Sequence, residues 1–231
     1  MNLYIIVEGE KTEMQIYPKW ISFLAPQMTQ IENAFDVTDN NYYIFSGKGI
    51  PSIYNHIVNA IKDINDINAG DKGKYDYLLV CMDTETVTRK HILSGIDTKL
   101  KENDVRLELG KLLLFEHKIC IESWLLGNDT VFKENPQTPD YLKYIQFYNV
   151  GENCPENMGN IDPDRFSRTA HFHIKYLKRM LEERNMRYSK NDTEDVCTKA
   201  YLEQLIKRYK NTGHIPSFGS WYEFIASLSK Q

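Results

Sequence analysis

Short, almost unbroken apolar runs alternate with longer stretches of helical character through the first half of the chain. LYIIV (3–7) is β-branched and aromatic, holds no polar position, and stops at Glu8-Gly9, which marks it as a buried strand. A helix is predicted from a capping box at Thr12–Gln15 to about Leu24, before Pro26. NYYIFSGKG (41–49) is the next strand. Pro51 suits a first helical position, and Ile53, Ile57, Ile61 and Ile64 recur at helical spacing. After a loop at 70–73 come a strand at 75–83, a helix from about 87 to 100, a strand at 111–117 and a helix through 121–126. Strand and helix in strict alternation, with strands apolar on both faces, predict an α/β fold whose mostly parallel, Rossmann-like sheet is flanked by helices.

Beyond Gly127 the pattern breaks. Residues 129–164 carry four of the eight prolines and many Asn and Asp, and read as a long irregular connection. Helical patterning returns at 166–186, 194–210 and 221–228. Three regions are therefore expected: an α/β domain at 1–128, the connection at 129–164 and a helical C-terminal extension at 165–231.

The chemistry lies where the strands end. Glu8 follows the first strand. Asp83 closes a later one, with Glu85 two residues on and pointing to the same side of an extended segment. In open parallel sheets ligands bind beyond the carboxyl ends of the strands. If these two strands are neighbours, three carboxylates share one rim, and such a group repels itself unless a cation sits within it. Oxygen ligands suit Mg²⁺ or Mn²⁺, and a metal held by few carboxylates beside a phosphate is what phosphoryl transfer needs.

VEGEKTE around Glu8, followed some 75 residues later by VCMDTE and then by LLFEHKICIESWLLGN (112–128), resembles the Toprim domain, and specifically the OLD and RloB-like group of bacterial nucleases found beside restriction and anti-phage systems. The resemblance covers about residues 3–128. It implies a Toprim-like fold and a divalent-metal-dependent nuclease acting on RNA, with tRNA as one candidate, or on DNA. Glu8 would be general acid/base and metal neighbour. Asp83 and Glu85 would hold Mg²⁺ or Mn²⁺, and Glu13 and Glu122 match further family acids. The pair is Asp-x-Glu where the family has Asp-x-Asp, and Glu10, Glu13 and Glu116 compete for the same assignments. Because unregulated nuclease activity would be toxic, the resemblance also implies control by a separate ATPase or by homo-oligomerisation, although this chain carries no Walker motif.

Charge adds a second feature. The net charge is −4, yet residues 165–231 hold 13 Lys/Arg against 7 Asp/Glu, while 1–164 hold 15 against 25. In the basic segment RFSRTAHFHIKYLKRM, cations alternate with aromatics. Arg165, Arg168, Lys175, Lys178 and Arg179 are candidate phosphate contacts, and the same helix packs Phe172, Tyr176 and Met180 inward. Lys11, a candidate catalytic residue, and Lys48, in SGKG, follow strands at positions that suit phosphate contact. SGKG lacks P-loop spacing and serves equally as a glycine turn with an exposed lysine. His171 and His173 lie two apart on a helix and cannot chelate together; both are expected at the surface or facing a partner. His91 and His117 fall near strand ends without a pattern that assigns them a role.

The remaining composition excludes classes. Four cysteines without a CxxC pair argue against zinc and against a disulfide scaffold. No signal-peptide pattern and no apolar run near the roughly 20 residues of a membrane span are present, so a cytoplasmic protein is expected. A non-catalytic, Toprim-like binding module with a structural cation is the competing reading of the same acids. A primase-like or phosphatase-like phosphoryl-transfer enzyme is a third.

Overall fold

The computed structural model describes residues 1–71, 73–85 and 87–229. Lys72 of the expected 70–73 loop and Thr86 of the DTET stretch lie outside the described residues. The protein is α/β, with one five-stranded, all-parallel sheet flanked by helices. The strands are β1 (Leu3–Val7), β2 (Thr29–Gln30), β3 (Asn41–Ser46), β4 (Tyr77–Asp83) and β5 (Lys111–His117). The helices are α1 (Thr12–Leu24), α2 (Ser52–Asn68), α3 (Arg89–Glu102), α4 (Ile121–Leu125), α5 (Pro139–Phe147), α6 (Thr169–Glu182), α7 (Lys199–Thr212) and α8 (Pro216–Leu228). Among the described residues no helix is long and apolar enough to cross a membrane.

The chain divides into two compact units. The first comprises Met1–Met82, Val87–Glu116 and Phe224–Gln231; the second comprises Asp83–Thr86 and His117–Glu223.

In the first unit the strand order is β2-β3-β1-β4-β5. Every residue of β1 is buried, because both faces of the central strand are covered. Tyr4, Ile6, Leu78, Val80 and Met82 face one way and pack with Ile53, Ile57 and Ile61 of α2 and Ile92 and Ile96 of α3. On the other face Cys81 hydrogen-bonds Tyr17 of α1, whose Ile16, Trp20 and Ile21 are fully buried. Phe224, in the last part of α8, packs edge-on against Tyr77 and beside Phe115. The chain leaves β1 to build one side of the sheet and returns to build the other. The topological switch point therefore falls between β1 and β4, where doubly wound sheets bind ligands.

Several boundaries differ from the sequence expectation for physical reasons. The third strand ends at Ser46 rather than 49, because Lys48 (φ 58°) and Gly49 (φ 71°) turn the chain through the left-handed region. Lys11 is the N-cap residue of α1, so Thr12, expected as the cap, is the first helical residue. Helix α5 lies inside the stretch read as irregular.

The second unit is helical. Phe172, Tyr176 and Met180 of α6 are buried, as their spacing predicts. Tyr144 and Phe147 of α5 pack against Phe172 with ring centroids at 5.2 and 5.7 Å.

Candidate metal centre at the strand ends

Parallel pairing sets the levels along the rim. Val7 stands opposite Ser46 on one side and Cys81 on the other, so Glu8 leaves β1 where β4 runs into Met82 and Asp83. The adjacency that the sequence made conditional is present: β1 and β4 are hydrogen-bonded neighbours.

In the first unit, Glu13 is in the first turn of α1 and 6% exposed. Its Oε1 accepts the Gly9 amide hydrogen at 3.2 Å. A Cβ at Gly9 would overlap the Glu13 carboxylate, so glycine at this position makes room for the acid. The charge of Glu13 reaches Cys81 on β4, where burial first and Glu13 in addition push the thiol up to about 12. Glu8 lies against the turn after β3: its backbone oxygen accepts from Ser46 Oγ at 3.3 Å, and a Cβ at Gly49 would sit 3.6 Å from its Oε1. The Tyr54 hydroxyl is buried and, among the described residues, has no hydrogen-bond partner. Burial, then the Glu8 carboxylate, holds its proton on more firmly than usual.

In the second unit, Asp83 Oδ1 lies 2.8 Å from His117 Nδ1. The backbone locks this pair, since Thr84 donates its N–H (3.0 Å) and its hydroxyl (3.2 Å) to the His117 carbonyl. The imidazole is fully buried and stands edge-on to Trp124, with centroids at 4.6 Å. Trp124 Nε1 donates to Ser217 Oγ, which donates to buried Glu156, each at 2.6 Å. A 2.8 Å spacing serves as a hydrogen bond. It equally suits adjacent corners of a coordination sphere with metal–ligand bonds of about 2.1 Å. Within the second unit Asp83 and His117 thus offer a carboxylate and an imidazole donor side by side.

Other expected ligands are engaged elsewhere. Glu85 Oε1 accepts the Ala170 amide at 2.9 Å and so caps the N-terminus of α6, a favourable place for a negative charge. Glu122 is 3% exposed and accepts from Tyr188 Oη at 2.7 Å. The thiol of buried Cys120 is pushed well above the usual range by burial first and by the Glu122 and Asp83 carboxylates next. Glu10 pairs with Lys48 at 3.7 Å on an exposed surface, and Glu116 is half-buried on β5. Lys11 is exposed at the start of α1.

Among the basic candidates, Arg165 and Arg168 are exposed and Lys175 and Lys178 half-buried. Arg179 bonds Glu182 at 2.6 Å and lies 3.9 Å from Asp140. His171 is exposed, as expected, but His173 is not a surface residue. It is fully buried, with Nδ1 2.9 Å from Ser123 Oγ and Nε2 2.9 Å from the Met158 carbonyl. The carbonyl can only accept, so Nε2 carries the proton and Ser123 donates to Nδ1. Burial lowers this imidazole to about 4.

The role of His117 was the main thing sequence reasoning missed. Its one available signal was its place as the last residue of a strand, the same place that singled out Asp83. In comparisons with protein-family models, with curated proteins and with solved structures, the chain finds no match.

Proposed function

We propose that the protein is a divalent-metal-dependent nuclease that hydrolyses phosphodiester bonds in RNA, with tRNA as one candidate, or in DNA, as the Toprim-like order of its motifs suggests. One observation carries the reading: Glu8 and Asp83 leave adjacent parallel strands at the switch point of the sheet. Asp83 and His117 would hold the metal, and Glu8 and Glu13 would be the acids that the first unit contributes to the reaction. The imidazole shifts the preference from Mg²⁺ toward Mn²⁺. When bound, such a cation offsets charge on a phosphate and acidifies a bound water. Glu8 would take or return a proton at that water, and Tyr54 would donate to an oxyanion next to it. Lys11 and Lys48 would meet the phosphates that flank the cleaved bond. Action in phage defence under a partner ATPase belongs to the same proposal.

The test is cleavage of labelled tRNA, single-stranded DNA and plasmid by purified wild type and Asp83→Ala, each in Mg²⁺, Mn²⁺ or EDTA. The proposal expects metal-dependent cutting that falls at least about 100-fold in the variant. Cutting that survives the substitution would overturn it. A cell assay covers the case in which an activator must be supplied: wild type should be toxic on induction with its host defence proteins, and Asp83→Ala harmless.

A second reading, a binding module with a structural cation, is favoured by the engagement of Glu85 with α6 and of Glu122 with Tyr188. It predicts Mn²⁺ binding that raises thermal stability, with no cutting in any arm and no toxicity.

A further inference from the structure

Asp83 is the outer end of a series of side chains that runs inward through the second unit. Its side chain is 33% exposed, while the His117 imidazole 2.8 Å from it is fully buried. The indole of Trp124, also fully buried, stands at 89° to that imidazole, and Phe218 and Trp221 pack on the indole in turn. Turning the Trp124 ring would therefore release one wall of the imidazole.

The ring is held by more than packing. An indole N–H can only donate, so Ser217 Oγ accepts it at 2.6 Å and directs its own single proton to Glu156 Oε1, also at 2.6 Å. The same oxygen accepts the Lys118 amide at 3.4 Å, so one hydroxyl touches both the backbone that follows His117 and the ring that packs on its side chain. Glu156 fixes that hydroxyl in place. Its carboxylate also accepts the Ser217 and Phe218 amides at the start of α8. It is 1% exposed, and the Lys118 ammonium donates to Asn157 Oδ1 at 2.7 Å rather than to it. Charge-assisted bonds of this kind are short and directional.

We propose that Ser217 and Glu156 are positioning residues for Asp83: they clamp the Trp124 indole and the Lys118 amide, which fixes the plane of His117 and hence the direction in which Asp83 presents its oxygens to a divalent cation. The inference rests on the metal-centre reading for its ligand. It gives the buried charge of Glu156 a purpose, the selection of one side-chain arrangement, that its own burial works against. Partners in this outer position act through the residues that touch a metal, and losing one lowers metal affinity about 10- to 100-fold.

The test uses the full chain and two measurements: calorimetric titration with Mn²⁺ alone, and the imidazole ¹⁵N signals of His117 in metal-free protein, assigned with His117→Gln. Ser217→Ala removes the hydroxyl, Ser217→Thr keeps it, and Glu156→Gln keeps an acceptor without the charge. Ser217→Ala should bind Mn²⁺ about 10-fold more weakly and shift the His117 signals. Ser217→Thr should restore both. Glu156→Gln should fall between, and it carries the test if Ser217→Ala does not fold. Wild-type Mn²⁺ affinity in Ser217→Ala would overturn the proposal, even with lower thermal stability, because the clamp would then serve packing alone. A Thr variant as weak as the Ala variant would overturn it too, since the hydroxyl would not be the cause. If the wild type binds no Mn²⁺, the metal-centre reading has failed, and the metal-free signals still decide the clamp: shifted in Ala and restored in Thr it stands, unmoved in both it falls.

Discussion

Asp83 and His117 end two neighbouring parallel strands and meet side chain to side chain, Oδ1 to Nδ1 at 2.8 Å, with the imidazole fully buried. A buried imidazole that anchors a carboxylate fixes the direction in which the acid presents its oxygens. His117→Gln should lower Mn²⁺ affinity by about 10- to 100-fold. It should also cost about 1–3 kcal/mol of stability, because the buried hydrogen bond between the imidazole and Asp83 is lost. Calorimetric titration with Mn²⁺ and urea unfolding measure the two effects. Unaltered Mn²⁺ affinity would remove His117 from the metal centre.

Gly9 is required by a side chain rather than by its own backbone. Alanine there would push the Glu13 carboxylate off the Gly9 amide. Gly9→Ala should destabilise by about 1–2 kcal/mol. In the Glu13→Ala background the obstacle is gone, so a double-mutant cycle should show coupling of about 1 kcal/mol. Additive effects would mean that the close approach is incidental.

These two sites show how far the chain can be read without coordinates. β1, α1 and β5 fall where their runs and flanks put them, because short apolar strands and a glycine stop are local signals. Helix α5 was hidden by its own starting residue. Pro139 looks like a breaker in an Asn/Asp-rich stretch, yet proline is favoured in a first helical turn, and Tyr141 and Tyr144 follow at helical spacing. Glu8 and Asp83 were legible as strand ends. Glu85 and Glu122 were legible as acids but not as a helix cap and a tyrosine acceptor. Those roles depend on Ala170 and Tyr188, which lie far along the chain. His173 was misplaced for the same reason, its partners Ser123 and Met158 being remote in sequence.

His173 makes stability sensitive to mild acid. Its folded-state value is lowered from 6.5 to about 4, so below pH 6.5 the unfolded chain binds the proton more readily. The stabilisation is complete above pH 6.5 and is lost as pH falls to about 4, up to about 3 kcal/mol at 1.36 kcal/mol per pH unit. Urea unfolding at pH 7, 6, 5 and 4 should show this slope, and His173→Gln should flatten it. An identical slope in both proteins would assign the acid sensitivity to other groups.

Glu183 controls a more acidic window. The Lys133 ammonium at 2.8 Å, with the Thr138 and Gln137 amides, lowers its carboxyl from 4.5 to about 2. Here too the unfolded chain is the stronger proton binder. The contribution is complete above pH 4.5 and fades as pH approaches 2. Glu183→Gln should therefore be less stable than wild type at pH 5, with the gap narrowing toward pH 2.5. A constant gap across that range would show that the carboxylate's charge contributes nothing.

The central position of β1 has a kinetic consequence. Leu3 pairs with Tyr42 on one side and Tyr77 on the other, so the first strand of this sheet to be made must wait for partners that come later in the chain. On a ribosome, the Leu3–Val7 segment must wait for β3 to emerge before its first edge is paired and for β4 before its second. Parallel pairing over such separations is slow, and an unpaired apolar strand is open to association with other chains. The same strand that delivers Glu8 to the rim is therefore the segment a chaperone would have most reason to hold during synthesis.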